Sequence, residues 1–168
     1  MSIIALSNGN HHDFMQPGFD LSPATIARAL SHINRFTGHV GAYSVAQHSV
    51  MVARLLPEEL KLSGLLHDAH ESIVGDMSSP LKQLVPEFKR IEEYYLDCID
   101  SRFNVQTRHE LVREADLRML VTEAKAFSLP LDHFPDLAPA CTELKRWAPV
   151  TAAAMWVDCF HAYKGVAL

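Results

Sequence analysis

The sequence predicts a single all-α domain of about six or seven helices. Apolar residues recur at three- and four-residue spacing along most of the 168-residue chain, and nothing alternates convincingly as a strand. Helix-start signals stand ahead of the apolar stripes, and the chain is the size of one compact domain. Residues 1–19 read as an N-terminal arm, polar and histidine-rich around Asn8–Asp13, residues 20–127 as the core, and 128–168 as a C-terminal loop and helix.

Ser22 followed by Pro23 is an N-cap and first-turn pair, and Ile26, Leu30 and Ile33 mark one face of the helix it opens. The segment NRFTGHVG (34–41) breaks that helix, and Ser44 caps a second one carrying Val45, Val52 and Leu56. Pro57 ends it and opens a third, with Leu62, Leu65, Leu66 and Ala69 as its apolar positions. A turn cluster, GDMSSP (75–80), leads into a short piece at 81–84. Pro86 starts a long helix whose face is read as Phe88, Ile91, Tyr95, Ile99 and Phe103. Thr107 and Glu110 have capping-box spacing ahead of Leu111, Val112, Ala115, Met119, Leu120 and Phe127. A proline-rich loop covers 130–139, and Pro149 opens a last helix through Ala153, Trp156 and Phe160.

Composition excludes several function classes. With 48% apolar and 21% charged residues the chain is neither disordered nor low-complexity. A net charge of −5 leaves no basic field for a nucleic-acid polymer. The longest apolar run, Ala152–Val157, is far short of the ~20 residues that cross a bilayer, and Ile3–Leu6 is too short for a secretory signal. Cys98, Cys141 and Cys159 are scattered, with no CxxC pair, and suit a reducing cytoplasm as buried apolar side chains. The ten histidines direct attention to metal chemistry.

Three helices carry polar residues where an apolar one is expected. His48 lies between Val45 and Val52, His67 and Asp68 interrupt Leu65, Leu66 and Ala69, and Asp116 sits midway between Val112 and Leu120. His48 is nine residues before Pro57 and His67 ten after it. If Pro57 turns an antiparallel helix pair, both histidines stand roughly 14–15 Å from the turn, at the same level. Two imidazoles with Asp68 and Asp116 form a mixed nitrogen and oxygen set suited to zinc, cobalt, manganese or iron. Taken singly, each has a plainer reading. His48 could be a satisfied core histidine, and Asp116 could pair with Arg113. The four together, at this spacing, favour a metal.

The order His48, His67–Asp68, Asp116 resembles the H…HD…D signature of HD-domain metal-dependent phosphohydrolases. The matching stretches are AYSVAQHSVMVA around His48, GLLHDAHESIVGDMSSPLK from Gly64 to Lys82, and READLRMLVTEA around Asp116. The resemblance is strongest to the small deoxynucleotide-directed branch, bacterial 5′-deoxynucleotidases and phage dATP triphosphohydrolases, through the string HDxxExxxGDxxxPxK. It implies an HD-type helical domain with a divalent transition metal (zinc, cobalt or manganese) and an additional magnesium travelling with the phosphates. Glu71 and Asp76 are then the catalytic acid–base pair. Glu71, four residues after His67 and about 40° round the helix, can overhang the metal and orient its water. Its plainer reading is a surface partner for a lysine or arginine, that of Asp76 a turn residue, and that of Lys82 a solvated charge.

Related enzymes place an arginine and an aromatic residue ahead of the first metal helix, so Arg35 would bind phosphate or sugar and Phe36 would stack on the nucleoside. Phe36 stands where several relatives carry tryptophan, which removes an indole donor. Pro80 would wall the base pocket, and Lys82 and Arg113 would face the phosphates, with Lys125 a further candidate. The implied reaction is hydrolysis of dATP to deoxyadenosine and triphosphate. The alternatives are a 5′-deoxynucleotidase that releases phosphate from monophosphates, and a catalytically silent nucleotide-sensing module. The expected setting is the cytoplasm, of a host cell if the protein is viral, with a deoxynucleotide as substrate, no membrane partner and a homo-oligomeric assembly. HDAHE is not a zinc-protease motif, and His11, His12, His39 and His70 read as polar surface or loop residues.

Overall fold

The structure, a computed structural model, describes residues 2–16, 18–140 and 143–165. The fold is all-α and forms one domain, with one two-stranded hairpin among the described residues, at the N-terminal end. The hairpin departs from the arm expected for this stretch. Ile3–Ala5 (β1) pairs antiparallel with His11–Asp13 (β2), Ile4 opposite His12. His12 is buried, with Nε2 2.5 Å from the Tyr95 hydroxyl, so this histidine ties the hairpin to the body instead of facing water. His11 is exposed, as expected.

Helix α1 spans Pro23–His32, and the Ser22 side chain accepts from the Thr25 amide, as the Ser–Pro pair indicated. Helix α2 (Val45–Arg54) is capped by Ser44, which accepts from the Gln47 amide. After Pro57 and one turn of 3₁₀-helix, α3 (Lys61–Leu66) runs back against α2. Gly64 permits that approach: a Cβ there would meet Leu56 Cδ1 at 2.2 Å and the Ala53 backbone at 3.2 Å. The third helix is shorter than expected. It stops at Leu66, His67–His70 form a tight turn, and α4 (Glu71–Val74) resumes the spiral before Gly75 ends it at φ 78°. Helix α5 (Ser79–Lys82) is a single turn.

Helix α6 (Pro86–Phe103) turns most of its expected apolar face inward, with Tyr95 and Ile99 buried and Phe88 and Phe103 half-buried, but Glu92 takes the place expected of Ile91. Glu92, Tyr95 and Ile99 are buried, whereas Ile91 is exposed. Glu92 takes the inward position because it meets Lys82 and His70 there. Helix α7 (Glu110–Ala126) is capped by His109, whose Nδ1 accepts from the Leu111 amide. The expected capping box does not form, because Thr107 is buried and donates instead to Asp100, and Leu111 faces solvent.

Helix α8 (Pro149–Lys164) packs against α1, α2 and α3, with Trp156 and Phe160 stacked and buried in the main core. A smaller cluster of Val52, Leu56, Leu60, Val112, Ala115 and Met119 joins α2 to α7. These two cores hold α2, α3 and α7 in one group, which is what positions the polar residues described next. Cys159 is buried, Cys98 is half-buried, and Cys141 lies outside the described residues. No helix of the described residues is long and apolar enough to cross a membrane.

Candidate metal centre

The polar residues that interrupt the apolar stripes converge. The rings of His48 on α2 and His67 just after α3 face each other with centroids 5.4 Å apart. Asp116 Oδ1, from α7, lies 3.0 Å from His48 Nε2 and 3.9 Å from His67 Nε2. One ligand atom from each of these three residues falls within 4.8 Å of the others. Asp68 Oδ2 stands 3.8 and 3.2 Å from the same two nitrogens, beside this three-residue group. Ligand atoms of a tetrahedral site with bonds of ~2.0–2.1 Å sit about 3.3 Å apart, close to these separations.

The outer ring nitrogens decide which face each histidine offers. His67 Nδ1 donates to the Gly64 carbonyl at 2.7 Å, and His48 Nδ1 donates to Glu123 Oε1 at 2.5 Å. Both acceptors are oxygens without a proton to give, so both rings carry their proton on Nδ1 and turn Nε2 inward. Neither Nε2 atom finds an aligned hydrogen-bond partner among the described residues, although both are buried. Two orphaned imidazole nitrogens facing carboxylates suit a divalent cation. The residues His48, His67 and Asp116 can hold a metal ion.

The electrostatics agree with a cation-seeking centre. Burial and Arg35 oppose a charge on His48, yet Glu123 and Asp116 push its imidazole up to about 9. His67 is also raised, with Asp68 and Asp116 outweighing its burial. Asp68 is held well below the carboxylate range against its burial by His67, His48 and Arg35. Glu71 goes the other way. Its carboxyl is buried with Oε2 unpartnered among the described residues, and burial followed by Asp68 and Asp76 lifts it well above the usual range. Asp76 is raised too, by burial first and then by Asp68. A buried carboxyl raised in this way beside Asp68 is the kind of group that proton transfer uses.

An open cleft of about 330 Å³ adjoins the centre, within the size range of small-molecule sites. His67, Asp68, Asp116, Lys82 and Arg113 line it, together with Lys89 and Arg108, which the sequence did not single out. Lys82 Nζ is held 2.6 Å from Glu92, and His70 Nε2 approaches the same carboxylate at 3.3 Å. His70 is therefore a buried part of the cleft floor, not a surface residue. Arg35 points into the protein, with Nε 2.9 Å from Glu123 Oε2 and Nη1 3.8 Å from Asp68. Phe36 meets Phe127 edge to face and Pro80 is exposed; neither lines the cleft. Phe36 and Thr37 both have left-handed backbone, at φ 55° and 53°, a strained turn directly after Arg35. His39 and Lys125 are exposed.

Over 132 residues the chain is 38% identical to the uncharacterized protein YfdR of Escherichia coli strain K12, a match covering 77% of this chain and 74% of that one. The chain belongs to the YfdR family. A second relative, an uncharacterized protein of Rhodobacter capsulatus, is 35% identical over 110 residues, or 58% of this chain and 56% of its own length. No protein-family model matches the chain. Neither relative's name carries an activity, so the function of this YfdR-family chain is argued from the site.

Besides Lys89 and Arg108, sequence reasoning missed Glu123 in this YfdR-family site. It is fully buried on α7 and accepts from His48, Arg35 and the Tyr43 hydroxyl. One signal was available: Glu123 is seven residues after Asp116, two helical turns on, and so on the same face.

Proposed function

We propose that this chain is a metal-dependent phosphohydrolase of the HD type acting on deoxynucleotides, with dATP as the triphosphate it converts to deoxyadenosine and inorganic triphosphate. The observation that carries the reading is the pair of inward-facing Nε2 atoms at His48 and His67, set against Asp116 and Asp68 and opening on a cleft with Lys82, Lys89, Arg108 and Arg113. Zinc, cobalt and manganese all suit this nitrogen–oxygen set. When bound, the metal makes a water acidic enough to supply hydroxide near neutral pH.

The chain's own groups supply the rest. Glu71, with its carboxyl lifted by burial, Asp68 and Asp76, takes the proton from the attacking water. Water adds to the α-phosphorus, the bond to the 5′ oxygen breaks, and Asp76 helps return a proton to that oxygen. Lys82 and Arg113, on the cleft wall, offset the phosphate charge, which increases in the transition state. Arg35 contributes its positive charge from beside Asp68.

A monophosphate substrate is the second reading, and the pairing of the cleft's cations favours it. Lys82 is engaged by Glu92, Lys89 lies 3.7 Å from Glu93, and Arg108 is held by Asp97 and Asp100. Cations already paired suit one phosphate better than three. Turnover of a nucleotide panel by metal-loaded protein, with free phosphate and triphosphate measured separately, distinguishes the two. Triphosphate from dATP is the expected product. Phosphate from monophosphates alone would establish the 5′-deoxynucleotidase, and binding without turnover a nucleotide-sensing module.

A further inference from the structure

Glu123 spends both of its carboxylate oxygens on groups from distant parts of the chain. Oε1 accepts from His48 Nδ1 at 2.5 Å and from the Tyr43 hydroxyl at 2.9 Å, and Oε2 accepts from Arg35 Nε at 2.9 Å. The side chain is wholly buried, and the partners come from α2 and from the loop before it. The contacts close into a ring. His48 Nε2 reaches Asp68 Oδ2 at 3.8 Å, Asp68 Oδ2 reaches Arg35 Nη1 at 3.8 Å, and Arg35 returns to Glu123. One half of the ring holds a metal ligand, the other a guanidinium whose charge faces the same centre.

We propose that Glu123 is a positioning residue that joins these halves, setting the His48 ring with Nε2 toward the metal and fixing the Arg35 guanidinium beside Asp68. The role rests on the metal-dependent phosphohydrolase reading above. Every group on Glu123 is a donor, so the site needs an acceptor at both oxygens. Glutamine cannot supply that, because its amide NH₂ would face either the His48 N–H or the Arg35 Nε–H. Carboxylates behind metal-bound imidazoles typically carry 10–100-fold of metal affinity. Here the same carboxylate also orients a cation, so one substitution should weaken metal and anion binding together.

The test uses the full chain loaded with zinc, comparing wild type with Glu123→Gln and Glu123→Asp. Zinc affinity is measured by chelator competition, the hydrogen-bonded His48 Nδ1 proton by NMR of ¹⁵N-histidine protein, and inorganic phosphate affinity at saturating zinc. Glu123→Gln should lose ~10–100-fold in zinc affinity, move the His48 proton resonance upfield and weaken phosphate binding. Glu123→Asp, which keeps two acceptors, should recover part of each. Unchanged zinc affinity with the proton resonance in place would overturn the role, even if the variant melts earlier. Should Glu123→Gln not fold, a zinc-loaded wild type whose His48 lacks a hydrogen-bonded Nδ1 proton overturns it equally. Wild type that takes up no zinc would remove this role and the proposed function together, whereas zinc uptake indifferent to Glu123 removes this role alone.

Discussion

His48 Nε2 and Asp116 Oδ1 lie 3.0 Å apart, brought from α2 and α7 across the small core that joins those helices. The buried His48 nitrogen has no aligned hydrogen-bond partner among the described residues, and a cation shared with the half-buried Asp116 carboxylate would satisfy it.

His67→Ala and Asp116→Ala should each lose bound transition metal while keeping the helical fold. Elemental analysis after purification checks this, with circular dichroism as the control for folding. Full metal retention in either variant would remove that residue from the centre.

Glu71→Gln should retain metal and lose hydrolysis by roughly 10²–10⁴-fold, the usual worth of a positioned acid–base group. The motive is its burial with an unpartnered oxygen and a carboxyl pushed up by its surroundings. Near-normal kcat with the metal in place would return Glu71 to a structural role.

Deoxynucleotides should be hydrolysed well and ribonucleotides poorly, with dATP the best triphosphate. An extra 2′-hydroxyl meeting a closed wall discriminates more strongly than one lost apolar contact, worth only ~1–3 kcal/mol. Phe36 and Pro80 do not line the cleft, so the expectation rests on the proposed deoxynucleotide reading and not on those two side chains. Values of kcat/KM for dATP, dGTP, ATP and dAMP decide it, and equal values for dATP and ATP would end the claim of deoxy selectivity.

Gly64→Ala should destabilise the protein by about 1–3 kcal/mol, the range for overpacking a filled core. Its Cβ would collide with Leu56 and press on the Ala53 backbone, separating α2 from α3 and hence His48 from His67. Denaturant unfolding and metal affinity should therefore fall together. A variant as stable as wild type would mean that Leu56 moves aside freely.

Stability should decline below about neutral pH partly through His12. Burial lowers its imidazole below the ordinary 6.5, with Asp13 opposing. The unfolded chain then takes up the proton first, so the contribution of His12 is complete above 6.5 and is lost as pH falls from there through the lower folded value. Unfolding free energies from pH 7.5 to 5 should fall more steeply for wild type than for His12→Gln. Parallel curves would show that the hairpin tolerates a charged His12.

Much of the candidate site was legible because its clues are local. The caps at Ser22 and Ser44 act within three residues, and the chain reversal at Pro57 that brings His48 and His67 together was marked by the proline itself. Other features were not legible. Ile91 looks like a core residue, and Glu92 like a solvated charge, until Lys82 and His70 arrive from the neighbouring turn to pair with it. The N-terminal strands are only three residues long, too short for alternation to register.

The sequence by itself determined the helical class, the main helix starts and the four polar positions that break apolar stripes, because spacing and capping are properties of neighbouring residues. Only the tertiary structure decided that Glu123 stands behind His48, that Arg35 turns inward, and that Phe36 and Pro80 stay off the cleft. The partners of Glu123 lie 75 to 88 residues away along the chain. A buried carboxylate is specified by the donors that surround it, and those are brought together only when α2 and α7 pack.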